Sequence, residues 1–222
     1  MPDMPPVHGA SRSVPVARAA KRRSEGSIPS DDELAILRLI NRWIVFRDSG
    51  DWARLRAIWH DDGTMTAGWQ QGPADDFIAA CVAGWNGRLK VMHELGAVAV
   101  EADGARAVSQ NKMTITVRAD LDGTLCDVTC MARHLDRWEK REGLWGLAGR
   151  ETIYDRDRLD AVNPGEIPVL DQALLESFDE AYRHMAYILV KLGYDISHEH
   201  PCLDSPHADA LVARWRAWLS AG

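Results

Sequence analysis

A chain of 222 residues with 46% apolar and 27% charged side chains can bury one good core and has the composition of an ordinary soluble domain, with extensions expected at both ends. The formal net charge is −7; five basic residues face two acidic ones in the first thirty positions, leaving +3 there and −10 on the rest, a body that suits no phosphate backbone and excludes nucleic acid as a partner. No apolar run is long enough to span a bilayer, no N-terminal apolar segment resembles a signal peptide, and Cys81, Cys126, Cys130 and Cys202 form no paired framework, so reduced thiols in a cytoplasmic protein are expected.

Residues 1–29 are rich in Pro, Ser, Ala and Arg without apolar periodicity and are expected to form a disordered basic tail. Ser30, followed by Asp31, Asp32 and Glu33, reads as an N-cap with its capping-box glutamate. From there Leu37, Ile40 and Ile44 recur on one helical face, and the same face reaches Asp48 just before Gly50 ends the helix. A carboxylate on a core-facing stripe is costly unless it is paired, so one reading gives Asp48 a partner inside; the other has it capping the turn Ser49-Gly50-Asp51, half solvated. Asp51 then caps a short second helix with Trp52, Leu55, Ile58 and Trp59 facing inward. His60-Asp61-Asp62-Gly63 turns the chain into a strand from Thr64 to Trp69. Gly72-Pro73 starts a third helix whose Phe77, Ile78, Cys81, Val82 and Trp85 form a buried face ending near Asn86-Gly87.

An antiparallel meander follows, with strands at 91–101, 105–118, 124–140 and 143–154 separated by glycine-containing hairpin signals, and a lone histidine, His93, near its start. Met113, Ile115 and Val117 alternate with Thr114, Thr116 and Arg118, the period of a strand with one buried face. Long strands after three helices predict an α+β fold, a curved sheet wrapped around the N-terminal helices with a cavity between them. After a linker from Asp160 to Leu170, Asp171 can cap a helix to about Lys191 with Leu174, Phe178, Tyr182, Met185 and Leu189 on one stripe and Gly193 as its stop. Ser205-Pro206 begins another, with Leu211, Trp215, Trp218 and Leu219 apolar. Two such helices must cover the cavity mouth, the sheet or a neighbouring subunit. His198, His200 and Cys202 have no second cluster to complete a tetrahedral metal set, so no metal site is expected. There is no internal repeat and no Walker or dinucleotide glycine pattern.

The ordered set Arg47-Asp48-Ser49-Gly50-Asp51-Trp52, Ile58-Trp59-His60-Asp61-Asp62, Gly72-Pro73, Met92-His93, the meander and Glu142-Gly143-Leu144-Trp145 resembles the SnoaL-like branch of the nuclear transport factor 2-like superfamily. The likeness is closest to dehydratases and dehydrochlorinases of the scytalone dehydratase and hexachlorocyclohexane dehydrochlorinase kind, and it covers about residues 30–158. Residues 159–222 then make a helical C-terminal extension longer than that pattern provides. The resemblance implies a cone-shaped barrel, a homodimer or homotrimer, no cofactor, an aspartate (Asp48) orienting a histidine base (His93), and an arginine (Arg150) completing the site.

Those residue types suit the chemistry. A neutral imidazole can take a proton from carbon near pH 7, an aspartate on its other nitrogen fixes the tautomer, and an arginine can hold a developing anion. Alternatively, Arg150 simply pairs with Glu151, Asp155 or Asp157. Trp43, Trp69, Trp85 and Trp145 lie on elements that would surround the cavity, and Trp43, Trp69, Trp85 and Tyr154 are taken as the walls for a small hydrophobic, cyclic or aromatic substrate. The expected function is a cofactor-independent lyase that eliminates water or another leaving group. The alternatives are an isomerase or carbon–carbon lyase with the same base, and a non-catalytic binding module or small structural subunit of a ring-hydroxylating oxygenase.

Overall fold

The computed structural model describes residues 30–85, 90–196 and 199–221; the expectations for the 1–29 tail, the Asn86-Gly87 stop and His198 lie outside them. The capping box of α1 (Asp31–Ser49) forms, with Ser30 Oγ accepting from the Glu33 N–H and Glu33 Oε2 accepting from the Ser30 N–H. Gly50 stops the helix at φ 71°, and a Cβ there would lie 3.0 Å from the Trp85 indole, so glycine alone lets α1 end against that ring. The buried face is Ile36, Ile40, Trp43 and Arg47, one residue out of phase with the expected row ending at Asp48. A core helix buries an arc wider than one i, i+4 row, and here Trp43 takes the centre of that arc, leaving Asp48 on its flank.

Asp51 caps α2 (Trp52–Arg56) by accepting from the Arg54 N–H. β1 (Trp59–Ala67) begins earlier than expected, through His60–Gly63, and β2 (Gln70–Pro73) takes up the Gly72-Pro73 pair expected to open a helix, so α3 (Ala74–Trp85) follows it directly. The cause is non-local: β1 runs parallel to the last strand, pairing Trp59 with Leu147 and Met65 with Arg150, and the turn signal survives as a register break between Trp59 and Thr64. On α3, Phe77, Ile78 and Cys81 are buried, but Val82 and Trp85 are exposed, contrary to the expected face. Trp85 packs edge-on against Trp52 at the rim instead of entering the core.

The meander consists of β3 (Lys90–Asp103), β4 (Arg106–Leu121), β5 (Thr124–Arg141) and β6 (Leu144–Ala161), each longer than its expected segment. Two of its hairpins turn on pairs with both φ values positive, Asp122-Gly123 and Glu142-Gly143, which matches the right-handed strand twist. The six strands lie in the order β2-β1-β6-β5-β4-β3, and register shifts at Leu95/Val98, Met131/Ala132 and Arg137/Trp138 help bend the unclosed sheet.

One end of the inner face packs against α1, α2 and α3 in a core containing Ile40, Trp43, Leu55 and Trp138. The other end is filled by α4 (Gln172–Glu176) and α5 (Arg183–Lys191), whose Met185 and Ile188 join Val117, Val128 and Cys130. The single helix expected over 171–191 is therefore two. Ser177 Oγ donates to the Leu174 carbonyl and Asp179 accepts from the Ala181 N–H, local bonds that compete with helix continuation. The N-terminus of α5 is held from the sheet, where Asp157 accepts from the Met185 N–H and from His184 Nδ1, both at 2.7 Å.

α6 (Pro206–Ser220), capped by Ser205, covers the outer face, where Ala208, Leu211 and Trp215 meet Leu135 and Ile153. The tail thus takes both positions open to it within one chain, the cavity mouth and the sheet. Trp215 is 2% exposed and its Nε1–H donates to Glu151 at 2.9 Å, whereas Trp218 is half-buried. Trp215→Ala is expected to lower unfolding free energy by about 3–5 kcal/mol in urea titration, as for other buried tryptophans, because Trp215 is the largest side chain packed with Leu135 and Ile153.

Candidate active site

Between the two inner cores lies a cavity with about 90 Å³ open to the centres of water molecules. At ~10–15 Å³ per water centre it has room for roughly seven waters, the bulk of a one- or two-ring compound. The wall is mostly apolar and is built from α1, β1, α3, the meander and α5. Trp43, Trp69, Trp85 and Tyr154 all stand on it, with Trp69 between Phe77 and Tyr194 and Trp85 at the exposed rim. Tyr154 Oη accepts from the Gly68 N–H at 2.8 Å, and burial pushes its pKa up, so it stays a phenol. Trp145 is elsewhere: its indole N–H donates to Asp32.

Asp48, at the last turn of α1, meets His93 on β3. One carboxylate oxygen accepts from the His93 backbone N–H and the other lies 2.6 Å from Nδ1, so the imidazole is fixed in position and in rotation. A carboxylate has only acceptors, which puts the proton on Nδ1 and leaves the Nε2 lone pair free. The Trp43 indole abuts the ring edge-on, with centroids 5.6 Å apart. Burial pulls the His93 pKa below its ordinary value; Asp48 opposes this, while the charges of Arg47 and Arg150 add to it. The ring is therefore neutral at pH 7. The side chain of Asp48 is 21% exposed, and its two oxygens bond His93 inside instead of capping the turn Ser49-Gly50-Asp51.

Arg150 is not on the cavity wall. Its guanidinium makes two bonds to Asp136, at 2.6 and 2.7 Å, with both side chains fully buried, and it lies 4.2 Å behind the Trp43 ring. The partner is thus Asp136, which none of the expected pairings named. Asp136 also accepts from Asn111 and Ser109, and Ser109 accepts from the Trp138 indole. Removing one member of a buried ion pair strands the other, so Arg150→Met is expected to cost about 3–5 kcal/mol of stability, with most of it recovered in Arg150→Met/Asp136→Leu. Denaturant titration of the single and double variants measures this.

Two wall residues went unnoticed in the sequence. His134 lies against Trp43 with centroids 6.0 Å apart, and burial, then Arg150 and His93, hold its pKa well below the ordinary value. Its Nδ1, like the Oγ1 of its cross-strand neighbour Thr152, is buried without a partner among the described residues. The signal existed: Cys126, Val128, Cys130, Ala132, His134, Asp136 and Trp138 alternate, and that phase puts His134 and Asp136 inward. The second is Arg47, four residues after Trp43 on the buried face of α1. His200 packs against Tyr154 and Tyr182, and no group of metal-ligating side chains occurs among the described residues.

The profile of the SnoaL-like domain family matches residues 29–151, more than half of the chain. This chain is a SnoaL-like protein. Among its relatives, Pea pathogenicity protein 2 of Fusarium vanettenii is 31% identical over 159 residues, covering 70% of this chain and 68% of that protein. A second F. vanettenii protein, described as PEP2-like, is 30% identical over 199 residues and 85% of each chain. Among solved structures, a hexachlorocyclohexane dehydrochlorinase, LinA type 2, superposes with a TM-score of 0.50 at 15% identity, over 63% of this chain and 95% of that one. At that identity the likeness is one of fold. The matched SnoaL-like region holds Asp48, His93, His134 and Arg150, while α4, α5 and α6 lie beyond it.

Proposed function

We propose that the protein is a cofactor-independent lyase in which His93 removes a proton from carbon and Asp48 holds and then stabilises the imidazolium. The observation that carries the reading is the 2.6 Å contact of Asp48 with His93 Nδ1, which leaves Nε2 as a free base on an apolar cavity wall. The C–H electron pair becomes the new double bond, and the leaving group departs with its own pair; if hydroxide leaves, the imidazolium returns the proton to it as water. A small cyclic or aromatic substrate fits the tryptophan-lined wall. In this scheme Arg150 supports Trp43 from behind and does not touch substrate. Four unpaired cysteines support a reducing, cytoplasmic setting.

The test is turnover of small ring alcohols and halides, followed by absorbance of the new double bond. His93→Ala is expected to keep the fold and lose about 10²–10⁴-fold or more in kcat, and Asp48→Asn to lose activity through the wrong tautomer. Near wild-type turnover by His93→Ala would sink the proposal. The pH profile follows from the direction of the His93 shift: a lowered pKa keeps the basic form populated at and above neutrality. The kcat/KM of the wild type should therefore stay flat through neutral pH and fall only on acidification below about 6.5. An inflection above that value would contradict the assignment.

A further inference from the structure

We propose that Arg47 is an anion-binding residue of the cavity, selecting apolar ring compounds that carry a negatively charged oxygen, a carboxylate or phenolate. Arg47 is 7% exposed, stands on the cavity wall and acts through its charge on His93, yet it forms no ion pair with a carboxylate among the described residues. The nearby acids are committed elsewhere. Both oxygens of Asp48 bond His93, and Asp136 is taken by Arg150. Besides Asp48, the groups beside Arg47 carry no charge: its guanidinium lies 5.7 Å from the Trp52 ring centroid, and the Cys81 thiol, its hydrogen-bond partner, keeps its proton because burial pushes the pKa to about 11.

A buried guanidinium without a counter-ion is costly, and a stem anchored on a helix next to the base makes that cost persistent. An anionic oxygen in the cavity relieves it. Arginine's planar fork matches a carboxylate with two parallel bonds, whereas a neutral alcohol offers it only one weak acceptor. With Arg47 and Asp48 adjacent in sequence, an oxygen held by the first fixes one end of a ring near Nε2 of His93. The inference rests on the lyase reading only for what happens to that ring next; the binding preference stands by itself.

The experiment is calorimetric titration of the full chain at neutral pH with benzoate and 2-naphthoate, each against its neutral alcohol, benzyl alcohol or 2-naphthylmethanol. The wild type is expected to bind the acids about tenfold or more tightly than the alcohols, the scale of one charge-assisted hydrogen bond. Arg47→Met should erase that preference by weakening acid binding about tenfold or more relative to alcohol binding. Arg47→Lys, which keeps the charge without the fork, should retain part of it, and it serves as the deciding variant if the methionine variant fails to fold. Equal affinity for acid and alcohol at both ring sizes, binding of neither, or an undiminished preference in Arg47→Met overturns the proposal. An anion preference lost in Arg47→Met, in a protein whose His93→Ala variant still turns over substrate, would remove the lyase reading and support this one.

Discussion

The carboxylate of Asp48 joins two parts of the chain that are 45 residues apart, because one oxygen takes the backbone N–H of His93 and the other its ring nitrogen. Each bond involves an ionisable partner in a partly buried place, where such bonds contribute about 1.5–3 kcal/mol. Their geometric effect is larger than their energy. The C-terminus of α1 is pinned to the sheet, and the imidazole is left one orientation and one tautomer. The helix must end just beyond Asp48, which Gly50 ensures by taking the left-handed conformation under the Trp85 ring. Had Asp48 occupied the centre of the buried arc, its carboxylate would have been fully desolvated. On the flank it keeps contact with solvent while still reaching inward.

The rest of the site is organised around Trp43. Its indole has His93 at one edge, His134 at another and the Arg150 guanidinium against its face. Behind it, Asp136 neutralises Arg150 and is itself bonded by Asn111 and Ser109. That layer of bonded polar groups lies beneath an apolar wall, although Arg150 Nη1 and Asn111 Oδ1 are buried there without a partner among the described residues. The two arginines near His93 differ in one respect: Arg150 is ion-paired with Asp136, whereas Arg47 forms no ion pair among the described residues.

The C-terminal helices complete the enclosure. α5 brings Met185, Ala186 and Leu189 to the cavity wall, and α6 shields the opposite face of the same strands. Cavity shape is therefore set jointly by the family domain and by the tail that follows it. Asp157 on β6, accepting from both His184 and the Met185 N–H, ties α5 to the sheet, and Glu151 ties α6 to it by accepting from Arg214 and Trp215.

Features that depend on a few neighbouring residues were legible in the sequence. The Ser30/Glu33 capping box, the Ser205-Pro206 helix start, the Asp-Gly hairpin signals and the alternation in β4 are local, and each is stabilised by contacts within a turn or a strand. Helical phase reached Asp48 and the resemblance assigned it and His93 their roles, but only the tertiary structure brings their side chains into contact. Where the sequence reading failed, a distant partner decided the outcome. β6 pairs with β1 on either side of His60–Gly63, leaving that turn signal as an irregularity within the strand, and Gly72-Pro73 is absorbed into a strand rather than a helix start. The stripe of α1 is rotated by one residue because the space for Trp43 is shaped by the sheet. Arg150 finds Asp136 because the register of β5 and β6 places them opposite each other. The isolation of Arg47 is the clearest case. Residue type and helical phase are written locally, whereas the presence or absence of a counter-charge is a property of every element folded around it.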